Sequence, residues 1–196
     1  MLSRVRDQVS RLMEPVAKAF ARTGLAPNVI TLIGLVVGFV AGLLFAYGMQ
    51  LWAGFALIMC GFFDLIDGAV ARVIGRETAF GGVLDSVVDR YVDFLIFAGI
   101  IYAFINGELA EVGILAGWAW GILAIVGSFM VSYTRARAEA AGSGKLDVGV
   151  AERGERIIIL AVGALIGYVQ YAVVLIVILT HLTVAQRLFA AKLRLS

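Results

Sequence analysis

Apolar residues in this chain come in long unbroken runs separated by short polar connections, not in residue-by-residue alternation. Six runs stand out, at about 29–49, 51–73, 82–105, 112–134, 156–170 and 171–190. A helix needs roughly 20 mainly apolar residues to cross a bilayer, and runs without period-two alternation favour helices over a barrel. The last two runs are short, and their shared turn falls near Gly167 to Tyr171. Ahead of the first run, Val5, Val9, Leu12, Val16 and Phe20 recur at helical spacing, with Arg4, Arg11, Lys18 and Arg22 on other faces. That pattern suits an amphipathic helix lying on a membrane surface. The expected fold is an all-α integral membrane protein with six transmembrane helices over 29–190, an N-terminal amphipathic surface helix within 1–24, and one domain spanning 1–196.

Composition narrows the class. Of 196 residues, 62% are hydrophobic and 15% charged, against roughly 45–50% and 25% in soluble domains. Such a chain cannot cover itself in polar side chains, which excludes a water-soluble globule, and it is too apolar for disorder. A net charge of +2 is too small for a nucleic-acid binder. A single cysteine, Cys60, leaves no internal disulfide and no multi-cysteine metal site.

Charge also orients the chain. Of the sixteen lysines and arginines, fifteen fall before the first run, in the 2–3 and 4–5 connection regions, or at the C-terminal end; the other is Arg90. By the positive-inside rule, both termini are expected in the cytoplasm, with the protein a multi-pass component of the cell membrane. Gly34, Gly38 and Gly42 repeat every four residues, as do Gly113, Gly117 and Gly121. Small-residue stripes allow close helix approach, either within the chain or along a seam between two copies, and a homodimer is expected.

The chemistry sits in acidic residues where they are expensive. Asp64 and Asp67 lie in the second run, and Asp85, Asp89 and Asp93 in the third. Carboxylates within spans mark function by default. Asp64 and Asp67 share a helix face, as do Asp85 and Asp89. At 1.5 Å per residue, Asp64 lies about 12 Å from the inner end of its helix near Arg72, a depth similar to that of Asp85 and Asp89. Four converging carboxylates without His or Cys suit two divalent cations, Mg²⁺, Mn²⁺ or Ca²⁺, over zinc, with Mg²⁺ or Mn²⁺ the expected cofactor. Asp93 can instead pair with Arg90 or cap a polar face. Gly68 and Ala71, with Gly75, are expected to clear one flank of the second helix, and Gly81 and Gly82 beside Thr78 to offer free backbone N–H groups to phosphate.

Residues 64–89 read D-L-I-D-G-A-V-A-R, eight residues, G-G-V-L-D-S-V-V-D. This resembles the signature of the CDP-alcohol phosphotransferases, D-x2-D-G-x2-A-R-x8-G-x3-D-x3-D, with every fixed position met by Asp64, Asp67, Gly68, Ala71, Arg72, Gly81, Asp85 and Asp89. Thr31, in P-N-V-I-T, resembles another recurring element of the family. The resemblance implies a phospholipid-synthesising transferase: an acceptor hydroxyl attacks the lipid-side phosphorus of a CDP-linked lipid and CMP leaves. It further implies Asp64, Asp67, Asp85 and Asp89 as metal ligands, Asp89 as the catalytic base, and Thr31, Gly68, Ala71, Arg72 and Thr78 against the CDP moiety.

The acceptor is read from the second half. S-Y-T-R-A-R-A-E-A-A-G (132–142), V-A-E-R-G-E-R-I-I (150–158) and Arg187 bring arginines to the membrane face that holds the aspartates. Single arginines at helix ends can snorkel to water, whereas clusters bind phosphate through forked hydrogen bonds. A phosphorylated polyol is therefore favoured over serine or choline. These segments look like the phosphatidylinositol-phosphate and archaetidylinositol-phosphate synthase branch, which implies Arg135, Arg153 and Arg187 as phosphate ligands, with Ser132 and Arg137 nearby. Glycerol 3-phosphate, as in phosphatidylglycerophosphate synthases, is the alternative acceptor. An aspartate-lined cation transporter is the alternative of another class, but it has no need of Gly68, Ala71 and Arg72 at these offsets. The lone His181 is expected to be a packing residue.

Overall fold

The structure, a computed structural model, describes residues 13–195. Among these residues all regular structure is helical: α1 at 13–22, α2 at Pro27–Ala46, α3 at Gln50–Val73, α4 at Ala79–Ile105, α5 at Gly117–Ala140, α6 at Arg153–Leu165 and α7 at Val169–Leu195. Residues 3–12 of the expected surface helix, with Arg4, Val5, Val9, Arg11 and Leu12, lie outside the described residues. Its remainder docks on the bundle: Ala17 is buried with Ile30, Ile66 and Val70, and Phe20 meets Phe62 edge-on at 6.3 Å.

Four helices, α2, α3, α5 and α7, are long and apolar enough to cross a membrane by themselves. The other two differ for physical reasons. Helix α4 has 27 residues but carries Asp85, Asp89, Arg90 and Asp93. Helix α6 has only 13 residues, about 20 Å at 1.5 Å per residue, against a hydrocarbon core of ~30 Å. It stops at Leu165 because Gly167 takes φ +75° and reverses the chain into α7. The expected 156–170 span thus ends early, and the sixth starts at Val169 and runs on to Leu195. The fourth run begins later than its hydropathy suggests, at Gly117. Residues before it form a turn, where Glu111 accepts the Gly117 N–H and the Trp120 indole donates to the Val112 carbonyl. Its far end extends through R-A-R-A-E-A to Ala140, since Ala, Arg and Glu are strong helix formers.

The principal helix packings close into a ring, α2–α3–α6–α7–α5–α4 and back to α2. Phe45, Leu57, Val92, Ile96, Phe97, Ile100, Leu160 and Ile176 fill its core, while Val36, Trp52, Tyr91, Ile158 and Phe189 cover the outside, where lipid replaces water. Helices α3 and α4, although joined by only five residues, are not neighbours in this ring. Both lean on α2 and leave a cleft between them. The glycine stripes serve this packing. A Cβ on Gly99 would strike the Gly42 carbonyl oxygen, and one on Gly38 would stand 2.8 Å from Val92 Cγ1. Gly117 and Gly121 lie under Phe104 and Ile101, whereas Gly113 sits outside any helix. Gly38, Gly42, Gly117 and Gly121 are thus used in packing within the chain.

The connection 141–152 has no regular structure but is pinned at several points. Thr183 Oγ1 accepts from the N–H groups of Val150 and Ala151, both at 3.1 Å. Arg187 donates to the Val131 and Val148 carbonyls, each at 2.7 Å.

Candidate active site

The start of α2 and α6 and the acidic halves of α3 and α4 converge on one cleft. One oxygen from each of Asp64, Asp85 and Asp89 lies within 4.8 Å of the others. This hard-oxygen set suits a magnesium- or manganese-type ion. Asp67, expected in the same ligand set, lines the same cleft but stands outside this three-oxygen group. It is buried, its Oδ2 accepts from Thr31 Oγ1 at 2.6 Å, and its Oδ1 accepts from the Gly68 N–H. Thr31 therefore holds a carboxylate, a role its place at a helix start does not announce.

Arg153 lies over the cluster. Its Nη1 is 2.5 Å from Asp64 Oδ1 and 2.7 Å from Asp89 Oδ1, and its Nε is 3.8 Å from Asp93 Oδ1. The Nη1 approaches are short but poorly aligned for hydrogen bonds, so charge attraction is their main content. Asp93 does not pair with Arg90, the partner weighed from sequence. Its Oδ2 accepts from Arg156 Nη2 at 2.6 Å, both side chains are buried, and Arg156 Nη1 donates to the Ala151 carbonyl at 3.0 Å. Arg90 instead lies 3.3 Å from Asp89.

Two cavities flank the cluster. The first, about 200 Å³, is lined by Thr31, Asp67, Gly68, Ala71, Thr78 and Asp85 among others. It includes four of the five residues expected against CDP. Arg72 is absent from its lining; Asn28 and Arg76, which sequence reasoning passed over, are present. Arg76 could have been suspected from its single positive charge on the short α3–α4 link. The expected free N–H groups are not free, since Gly81 N–H donates to Thr78 Oγ1 at 2.9 Å and Gly82 N–H to the Thr78 carbonyl at 3.2 Å. Gly75 clears no helix flank; it lies beyond the end of α3 with φ +63°.

The second cavity, about 380 Å³, is lined by five arginines and three carboxylates. Ser132, Arg135, Arg153 and Arg187 all face it, while Arg137 is exposed and outside its lining. On α5, residues 135 and 137 are about 200° apart, so both cannot face one cavity. Arg135 contacts Glu139 at 3.2 Å and Asp147 at 3.1 Å. Asp89 and Arg153 belong to both the cluster and this cavity, so the two spaces meet there. His181 Nδ1 is 2.8 Å from the Val177 carbonyl in its own helix, away from all of this.

A carboxylate cluster thus sits inside an apolar helical ring of a membrane protein, with an arginine-lined chamber beside it. The chain matches the CDP-alcohol phosphatidyltransferase family over residues 24–190 and belongs to it; it is a transferase. It is 42% identical to archaetidylinositol phosphate synthase of Pyrococcus horikoshii, over 100% of this chain and 98% of that one. It is 34% identical to phosphatidylinositol phosphate synthase of Mycobacteroides abscessus, covering 95% and 86%. Among solved structures, phosphatidylinositol phosphate synthase of Mycobacterium tuberculosis with CDP-DAG bound superposes with TM-score 0.79 at 31% identity, covering 92% and 94%. The same enzyme with manganese and citrate gives 0.81 at 30%, covering 92% and 88%.

Proposed function

We propose that this protein transfers a phosphatidyl-type group from a CDP-linked lipid, CDP-diacylglycerol or CDP-archaeol, to a hydroxyl of inositol phosphate, releasing CMP. The observation that carries this reading is the junction at Asp89 and Arg153, where the carboxylate cluster opens into the arginine cavity. One substrate can lie on each side of that junction. The relatives named above are synthases of inositol-phosphate lipids, which supports the acceptor.

In this reading the CDP moiety lies against Thr31, Gly68, Ala71 and Thr78, with Arg72 near Gly68 at the rim. Two divalent cations, Mg²⁺ or Mn²⁺, held by Asp64, Asp67, Asp85 and Asp89, would supply charge stabilisation for the attacking and leaving oxygens. Asp89 faces the arginine cavity as well as the cluster, so it is the carboxylate in reach of an acceptor hydroxyl. It takes that proton as the acceptor oxygen bonds to the lipid-side phosphorus and the bond to CMP breaks. Arg135, Arg153 and Arg187, with Ser132 beside them, hold the acceptor's phosphate by charge-assisted hydrogen bonds. Arg137 is exposed and outside this cavity.

The whole chain acts as one domain in the cell membrane, crossing six times with both termini and the site on the cytoplasmic side. Helices α4 and α6 complete the ring between apolar neighbours, which supports their crossing with the other four. The test is CMP release from purified protein given CDP-lipid and Mg²⁺, with inositol phosphate, glycerol 3-phosphate or serine as acceptor. Turnover with inositol phosphate alone is expected. Preference for glycerol 3-phosphate would replace the acceptor, and equal turnover with serine would remove the phosphate pocket from the mechanism.

A further inference from the structure

Glu152 sits in the arginine cavity without a local reason to be there. It precedes α6, yet its side chain makes no capping hydrogen bond to that helix. Its Oε1 instead accepts from Arg187 Nη2 at 3.0 Å and lies 3.6 Å from Arg135 Nη1. The rest of each guanidinium is already engaged. Arg187 gives Nε and Nη1 to the carbonyls of Val148 and Val131, and Arg135 gives Nε and Nη2 to Glu139 and Asp147. The one remaining nitrogen of each arginine therefore converges on a single carboxylate oxygen. That oxygen stands where the proposed function puts an oxygen of the acceptor's phosphate.

We propose that Glu152 is a resident counter-anion of the acceptor cavity and determines its specificity for phosphomonoesters. The inference rests on the reading of this cavity as the phosphate site. An incoming anion must displace the Glu152 carboxylate from Arg135 and Arg187. A monoanionic carboxylate only exchanges one negative charge for another. A phosphate dianion brings a second charge and further acceptor oxygens to the same two forks. Discrimination then comes from a built-in competitor as much as from attraction.

The test uses the full chain in detergent, with CMP release as the assay and inorganic phosphate and acetate as competitors of inositol phosphate. In the wild type, phosphate competes and acetate does not. In Glu152→Gln, which keeps an oxygen for Arg187 but no charge, acetate becomes a competitor. The KM for inositol phosphate falls by about three- to tenfold, and the change is carried by KM and not kcat. Glu152→Asp, which keeps the charge, retains resistance to acetate. A purely structural role would raise KM in Glu152→Gln and leave acetate inert, which overturns the proposal. If phosphate competes in the wild type and weakens in Arg135→Gln while Glu152→Gln leaves competition unchanged, the inference fails and the acceptor site stands. If phosphate does not compete in the wild type, both fall together.

Discussion

Arg153 and Asp89 meet at 2.7 Å, Nη1 to Oδ1, at the point where the carboxylate cluster opens into the arginine cavity. The arginine expected to hold a substrate phosphate thus also neutralises the aspartates. A divalent cation brought to those aspartates would compete with this guanidinium for the same oxygens. That dual placement sets two measurable expectations for Arg153→Ala.

In kinetics, Arg153→Ala is expected to raise the KM for inositol phosphate by about tenfold or more, or ~1.4 kcal/mol. In thermal unfolding it is expected to destabilise the metal-free protein, because Asp64 loses its guanidinium partner and Asp89 keeps only Arg90. Mg²⁺ should then raise Tm more in the variant than in the wild type. An equal Mg²⁺ response in both would show that Arg153 does not stabilise the cluster.

Asp89→Asn keeps the size of the side chain and removes its basicity. CMP release should fall by about 10²–10⁴-fold, the usual contribution of a positioned base. CDP-lipid binding, followed by its protection of the protein against heat, should persist. Retention of more than a tenth of the activity would assign the proton to another group.

Chelation by EDTA should abolish turnover, and Mg²⁺ or Mn²⁺ should restore it. Crystals soaked in manganese should give anomalous density between α3 and α4. No peak there, or full activity in a variant with Asp64, Asp67, Asp85 and Asp89 all changed to asparagine, would end the metal-dependent reading.

The Asp93–Arg156 pair is buried, and removing one partner strands Arg156 or leaves Asp93 only the longer contact to Arg153. Asp93→Ala or Arg156→Ala should each cost about 3–5 kcal/mol, whereas replacing both by apolar residues of similar volume should recover much of it. A double-mutant cycle on thermal stability measures the coupling. Strictly additive losses would mean the two side chains act apart.

At the α2–α4 contact, Gly99→Ala forces a Cβ onto the Gly42 carbonyl oxygen. A loss of about 1–3 kcal/mol is expected from the forced separation of the helices. Gly82→Ala, within α4 where a Cβ meets open space, is the control and should unfold at or slightly above the wild-type temperature.

The acidic signature was readable because spacing fixes which side chains share a helix face. Asp64, Asp85 and Asp89 meet as their offsets require. Partners across helices were less legible. Nothing in the spacing of Thr31 and Asp67 joins residues 36 apart, and the pairing of Asp93 with Arg156 spans 63 positions. The resemblance of the 132–142 segment groups Arg137 with Arg135, but two positions apart on a helix puts their side chains on different sides. Helix ends are not legible where hydropathy and hydrogen bonding disagree. Apolar residues before Gly117 form a turn, and the charged end of α5 stays helical because its residues favour that conformation. Glu152 could not be found by pattern, since its position depends on two arginines from separate helices.

Arg187 holds three stretches of chain with one side chain: the wall of α5 at Val131, the irregular connection at Val148, and Glu152 at the mouth of α6. A link without helix or strand is thereby as tightly registered as the helices it joins. Its length is accordingly a design constraint: one residue added or removed between 141 and 152 would slide Glu152 and Arg153 out of alignment together, detuning the site through a segment whose residues 141–151 line none of its cavities.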